Sequence, residues 1–195
     1  MGGGLATWAV AVDDLEAQLR WSSDGSGLIG PVAGERRRPD GAIVRWRLAH
    51  PPTPSPLSPF LIEHDATAAE WTPAEREARA AESHPVGGRV RLGGLEILAA
   101  VPPAAAGRLR SLLATSAEPD GREAVKVRIG SDVVRFVASR PRGAAAIELV
   151  VDAPLRRRVA WLGECEVRLR GTSVDRPGAV GARPGGEVPG NVPSG

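Results

Sequence analysis

The chain has 195 residues, 42% hydrophobic and 25% charged, with a net charge of +2 and a single cysteine, Cys165. That length and balance suit one ordinary globular domain or two small ones, and one cysteine excludes an internal disulfide framework or a cysteine-based zinc site. No apolar run approaches the roughly 18 residues that span a bilayer. The basic groups are nearly all arginine, with Lys126 the only lysine and no tyrosine at all. Neither a nucleic-acid motif nor an aromatic stacking platform is present, so neither nucleic acid nor membrane is expected as a partner. The N-terminus lacks the basic and apolar regions of a secretory signal, which makes the cytoplasm the expected compartment.

Ala6 to Val12 alternates as a strand, with Trp8, Val10 and Val12 on one face and Thr7, Ala9 and Ala11 on the other. Asp13 or Asp14 is placed to cap a short helix bearing Leu15 and Leu19. A short strand is expected over Leu28 to Val32. Pro39-Asp40-Gly41 is a turn signal. Ala42 to Leu48 then sets Val44, Trp46 and Leu48 against Ile43, Arg45 and Arg47. A proline-rich loop, Pro51 to Pro59, leads to a strand over Phe60 to His64. Thr72-Pro73-Ala74-Glu75 is a capping-box signature opening a connector helix to about Glu82, which His84-Pro85 ends.

A second strand–helix–strands unit follows. Its strand spans about Leu95 to Val101 and its helix about Pro103 to Ala114. Strands are expected at Ala124–Ile129, Val133–Ala138 and Ala145–Val151, with a further one around Glu166–Leu169. From Gly171 the Gly/Pro/Ser-rich chain has no periodicity and reads as a disordered tail. The expected units are residues 1–90 and 91–170, followed by the tail 171–195. The first would end on Phe60–His64 and the second on Ala145–Val151, an acidic strand in each case.

A repeat of this β-α-β-β-β kind resembles the vicinal oxygen chelate superfamily, which includes glyoxalases, bleomycin-resistance proteins and extradiol dioxygenases. The glyoxalase-like branch is the nearer likeness. It rests on Gly4-Leu5-Ala6-Thr7-Trp8-Ala9-Val10 leading to Val12-Asp13-Asp14-Leu15. It rests further on Arg38-Pro39-Asp40-Gly41 before Arg45-Trp46-Arg47-Leu48, on Pro59-Phe60-Leu61-Ile62-Glu63, and on His84-Pro85. It covers residues 4 to about 90 well and residues 91–151 by pattern. The resemblance implies an α+β fold of curved mixed sheets with helices outside, cupped around a divalent metal (Mn, Fe, Ni, Zn or Mg).

Projecting the family pattern puts Thr7 and Glu96 on first strands and Glu63 and Glu148 on last strands. Glu63 and Glu148 are then the implied metal ligands, and Glu96 a ligand or catalytic base. Thr7, Arg45 and Arg47 would line the substrate side, the two arginines as an anion clamp. Parity assigns Glu63 to the open face, opposite the bulky Phe60 and Ile62. The plain alternative is that these carboxylates pair with Arg45, Arg47 or Arg135 across the sheet. The chain departs from the branch in having no histidine at a first-strand ligand position. It also begins where a preceding module of that branch would end. The implied function is binding of, or action on, a small organic molecule by metal-assisted isomerase, lyase or dioxygenase chemistry. The alternatives are a non-catalytic, resistance-type binder and a structural relic of the fold. Exposed sheet edges make a homodimer an expectation, and Cys165 is expected to be inert.

Overall fold

The computed structural model describes residues 5–22, 27–66, 71–81, 88–140 and 144–171. His84, Pro85 and the tail from residue 172 lie outside them. The chain builds two mixed sheets. The first is drawn from β1 (Ala9–Ala11), β2 (Ile29–Arg37), β3 (Ile43–His50) and β4 (Phe60–His64), with α1 (Leu15–Trp21) between β1 and β2. Its order is β1-β4-β3-β2, with β1 parallel to β4 and the other pairs antiparallel. A connector helix, α2 (Pro73–Ala81), leads to the second sheet.

That sheet comprises β5 (Val90–Leu98), β6 (Ala117–Pro119), β7 (Ala124–Ile129), β8 (Asp132–Val137), β9 (Ala145–Val151), β10 (Arg158–Leu162) and β11 (Cys165–Gly171). Helix α3 (Pro102–Leu113) follows β5. The order is β10-β11-β9-β5-β8-β7-β6.

The capping signals are realised. The Asp14 carboxylate accepts the Ala17 N–H at 2.8 Å. The Thr72 N–H donates to the Glu75 carboxylate at 2.7 Å and the Glu75 N–H donates back to the Thr72 hydroxyl at 3.2 Å, a reciprocal capping box.

The second repeat closes on a different strand from the one expected. In the first unit β1 runs parallel to β4, and the Val12 N–H donates to the Ile62 carbonyl. In the second, β5 runs parallel to β8, and the Ala99 N–H donates to the Val137 carbonyl. Val12 therefore corresponds to Ala99, Ile62 to Val137, and Glu63 to Ala138. The last strand of the second unit is β8. Strand β9, with Glu148, lies outside the repeat, antiparallel on the other edge of β5, and β11 and β10 extend the sheet beyond it. The matching edge of β1 has no strand partner among the described residues.

Helices α1 and α3 each pack one face against their own sheet and leave the other exposed. Leu15, Val10, Ala49 and Leu61 form one buried cluster with Leu112 of α3. Leu95, Ile97, Leu109, Val127, Val134 and Phe136 belong to the other, and Trp8 touches both. The Gln18 side-chain amide donates to the Leu112 carbonyl at 2.6 Å, tying the helices together. Gly107, inside α3, has no steric reason to be glycine, because a Cβ there would meet nothing within 4 Å. Glycine costs a helix interior about 0.8–1 kcal/mol relative to alanine. Gly107→Ala is therefore expected to stabilise the protein by about 0.5–1 kcal/mol, checked by urea denaturation.

Candidate functional site

Alternation along β3 and β4 decides which side of the first sheet each expected residue occupies. Leu61 and Ala49 are fully buried and pack with Leu15 of α1. Glu63 shares the face of Leu61, and Arg47 and Arg45 share that of Ala49, since residues two apart point the same way. The open-face assignment of Glu63 is thus corrected. Leu61 packs the helix side, and Phe60 and Ile62 point away from it. Glu63 sits at the N-terminus of α1, where its carboxylate accepts the Leu15 N–H at 2.7 Å. The same carboxylate takes both oxygens to Arg47, at 2.8 and 2.9 Å, and Arg47 also reaches Glu16 of α1 at 2.8 Å. The Leu15 N–H and the Arg47 guanidinium hold the Glu63 carboxyl below the usual carboxylate range. Arg45 pairs with Glu35 at 3.3 Å. Thr7 is half-buried just before β1.

This arrangement makes Glu63 a helix cap and sheet-to-helix tie. Glu63→Ala is expected to cost about 1–2 kcal/mol, the value of a lost cap, and a denaturation midpoint measures it.

The second sheet carries a charged face on the side away from α3. Leu95, Ile97, Val134 and Phe136 pack toward α3, so Glu96 and Arg135 point the other way. There Glu96 meets three arginines, Arg135 at 2.8 Å, Arg168 at 3.0 Å and Arg140 at 3.1 Å. Glu166 takes Arg140 at 2.8 Å and Arg168 at 2.9 Å. The Arg140 side chain is 1% exposed and that of Glu96 13%. Arg135 also contacts Asp120. Glu148, on the same face, pairs with Arg170 at 2.6 Å.

Burial would push the Glu96 carboxyl up, but hydrogen bonds and charge from Arg168, Arg140 and Arg135 outweigh it and hold the carboxyl below its ordinary value. Hydrogen bonding to Arg168 also holds Glu166 down, and hydrogen bonding to Glu166 raises Arg168 further. At neutral pH these carboxylates are anions fully engaged by cations. A group in that state is a poor proton acceptor, and it can bind a metal only by giving up its arginines. Cys165 is buried at the strand end, and burial pushes its thiol up, away from the reactive thiolate.

The structure therefore brings Glu96 and Glu148 to one face, joins Glu63 to Arg47, and keeps Glu63 in the other sheet. The cross-strand pairings Glu63–Arg47 and Glu96–Arg135 are those of the plain alternative reading. The sequence reading missed Arg140, Glu166, Arg168 and Arg170. The alternation Glu166, Arg168, Arg170 was the available signal, since it marks one charged strand face.

A divalent cation of the implied kind needs several converging oxygen or nitrogen donors. Among the described residues, no group of three or more His, Cys, Asp or Glu is placed to hold one. Glu63, Glu96 and Glu148 are split between two sheets and each is ion-paired. These residues do not fit a metal centre.

Two concavities meet at β5, one on the charged face and one lined by residues of the opposite, α3-packed face. One, of about 230 Å3, lies over Gly94, Glu96, Arg135, Glu148, Arg168 and Arg170. The other, of about 410 Å3, is a mainly apolar cleft between the free edge of β1 and the second sheet. Leu5, Trp8, Ala9, Ala11, Leu92 and Ile147 are among its walls. Gly94, Leu95 and Val133 line both. The cleft is within the size range of small-molecule sites.

A family model described as a glyoxalase-like domain matches residues 1–113. No curated protein matches the chain. A hypothetical protein from Staphylococcus aureus has a similar structure, at TM-score 0.64 and 11% identity, over 85% of this chain. The chain spans 66% of that protein's length. Weaker likenesses include the fosfomycin resistance protein FosX from Listeria monocytogenes, at TM-score 0.30 and 11% identity, over 72% of this chain and 94% of that one. Lactoylglutathione lyase from Agrobacterium tumefaciens gives TM-score 0.31 and 17% identity, over 69% and 92%. Among the described residues, no helix is long and apolar enough to cross a membrane.

Proposed function

The chain belongs to the glyoxalase-like domain family, and from that premise we propose that it binds a small organic molecule in the cleft beside β1. The apolar body of the ligand lies against Leu5, Trp8 and Ile147. A polar end reaches past Gly94 toward Arg135, Arg168 and Arg170. The observation that carries this reading is the common wall of Gly94, Leu95 and Val133 between an apolar cleft and a charged face. Burial of the apolar part supplies affinity and the guanidinium groups supply orientation.

Metal-assisted lyase, isomerase or dioxygenase chemistry at Glu63, Glu96 and Glu148 is the rival. It would need those carboxylates to leave the arginines that hold them, which is costly at Glu96, where the Arg140 side chain is buried. Binding without a catalytic step needs no such rearrangement, and the resistance-type reading is therefore preferred.

The test is thermal melting of the purified protein against a panel of small aromatic and aliphatic acids, diols and ketones. A saturable rise with one chemical class is expected, removed by Ala9→Trp, which fills the cleft from an exposed position on β1. If no compound raises the melting point, or if the rise persists in Ala9→Trp, the cleft is not the binding site.

A further inference from the structure

Helices α1 and α3 do not close against each other along their whole length. At the C-terminal end of α1 they leave a groove of about 420 Å3, walled at one end by the segment Leu57-Ser58-Pro59. Trp21 stands at its rim and is 70% exposed. Large aromatic rings are seldom left so open, because burying one removes a large apolar area from water. The groove floor is apolar, provided by Leu109, Leu112 and Pro59.

Polar residues also line the groove. Arg108 projects from the exposed side of α3, and among the described residues its guanidinium has no ion pair. Ser58 and Ser111 line the same groove, and among the described residues neither hydroxyl has a hydrogen-bond partner.

Gly107 gives a second, independent indication. It faces the groove from the middle of α3. Alanine there would improve the helix, and its Cβ would meet no protein atom within 4 Å. Glycine at this position leaves volume open in the groove.

From these features we infer that the groove between α1 and α3 is a second ligand site, for a flat aromatic monocarboxylate. Trp21 supplies a stacking face. Arg108 supplies one planar guanidinium, which matches one carboxylate in a two-point contact. Ser58 and Ser111 donate to remaining carboxylate lone pairs. A single cation fits a monoanion and leaves the second charge of a phosphate ester unmatched. The site is on the helical side of the molecule, whereas the charged face lies on the side of the second sheet away from α3. It stands independently of the function proposed above.

The probe is 1-naphthoate, titrated by calorimetry and by backbone amide chemical shifts. Expected is one-site saturation, with shift changes centred on Trp21, Ser58 and residues 107–112. Arg108→Gln should weaken binding by about tenfold, the loss of one charge-assisted contact. Gly107→Leu should abolish binding while leaving the protein folded and no less stable, because a Cβ at this position meets no protein atom within 4 Å and the position lines the groove. Neutral 1-naphthylmethanol should bind at least about tenfold more weakly than the acid. Ala9→Trp should bind naphthoate like the natural chain, which separates this site from the cleft beside β1. The inference is overturned by absence of saturation up to roughly 10 mM. Equal affinity in Gly107→Leu, or an alcohol that binds as tightly as the acid, overturns it too.

Discussion

Replacing Glu96 by alanine should destabilise the protein by about 3–5 kcal/mol, the cost of breaking a largely buried ion pair by removing one partner. The carboxylate is the shared acceptor of Arg135, Arg140 and Arg168. Arg140 has almost no exposure with which to recover solvation once Glu96 is gone. Glu166 would still pair with both Arg140 and Arg168. Glu96→Gln should cost less, because the amide oxygen still accepts from one arginine. Urea denaturation of the two variants measures both effects.

Ion-paired carboxylates in both sheets set an acid limit. Glu96, Glu166 and Glu63 all have carboxyl pKa values lowered in the folded chain. A lowered folded pKa means that the unfolded chain binds protons first as the pH falls. Their contribution is therefore fully present above the unfolded carboxyl value of about 4.3 and is lost as the pH drops through the folded values. Stability should be flat near neutrality and fall below about pH 4.5, and Glu96→Gln should flatten that fall. A series of denaturation midpoints from pH 7 to pH 3 checks the sign.

Gly94→Ala should cost about 1–3 kcal/mol, the range for overpacking. A Cβ on Gly94 would lie 2.6 Å from the Val133 carbonyl oxygen, a backbone atom in the strand paired with β5. The strand cannot move aside without disturbing the β5–β8 ladder, and Gly94 also adjoins the irregularity between Leu92 and Gly94 in the β5–β9 pairing. The same substitution at Gly107 has the opposite expected sign, because nothing stands in the way of its Cβ. A melting curve for each variant tests the pair together, since composition and propensity alone would not separate them.

Elements with a local chemical signature were legible in the sequence. The capping box at Thr72 and Glu75, the Asp14 cap and the strand Phe60–His64 each follow from a few adjacent residues, and the α+β architecture of repeated units followed from them. Elements that depend on distant partners were not legible. Gly93-Gly94 hid the first half of β5, because glycine lowers strand propensity where the sheet needs close approach. Strand β10 was hidden behind Arg156-Arg157-Arg158, and its Val159 and Leu162 remain exposed, so it carries little burial pattern. The order of β8 and β9 about β5 is a pairing choice, invisible in either strand alone.

The expected site residues show the same division. Parity correctly grouped Glu63 against Phe60 and Ile62 along β4. Side-chain bulk then suggested which face met the helix, and the single Leu61, packed on Leu15, decided otherwise. The cross-strand pairs Glu63–Arg47 and Glu96–Arg135 were within reach of sequence reasoning, since it named those arginines as partners. The contribution of Arg140 was not, because its guanidinium reaches Glu96 across 44 positions of sequence. A carboxylate on a strand reads the same whether a metal or three arginines will meet it. Only the tertiary structure distinguishes the two.

Glu63, Glu96 and Glu148 pair with arginine, and their role as counter-ions and not as metal ligands is open to a direct test. The test is to melt the chelator-stripped protein with Mn²⁺, Fe²⁺, Ni²⁺, Zn²⁺ and Mg²⁺ in turn, alongside a Glu96→Gln/Glu148→Gln variant. No saturable rise in melting temperature is expected with any ion, and the variant should melt lower with every ion and with none. A saturable rise with one ion in the natural chain, absent from the variant, would contradict the counter-ion role.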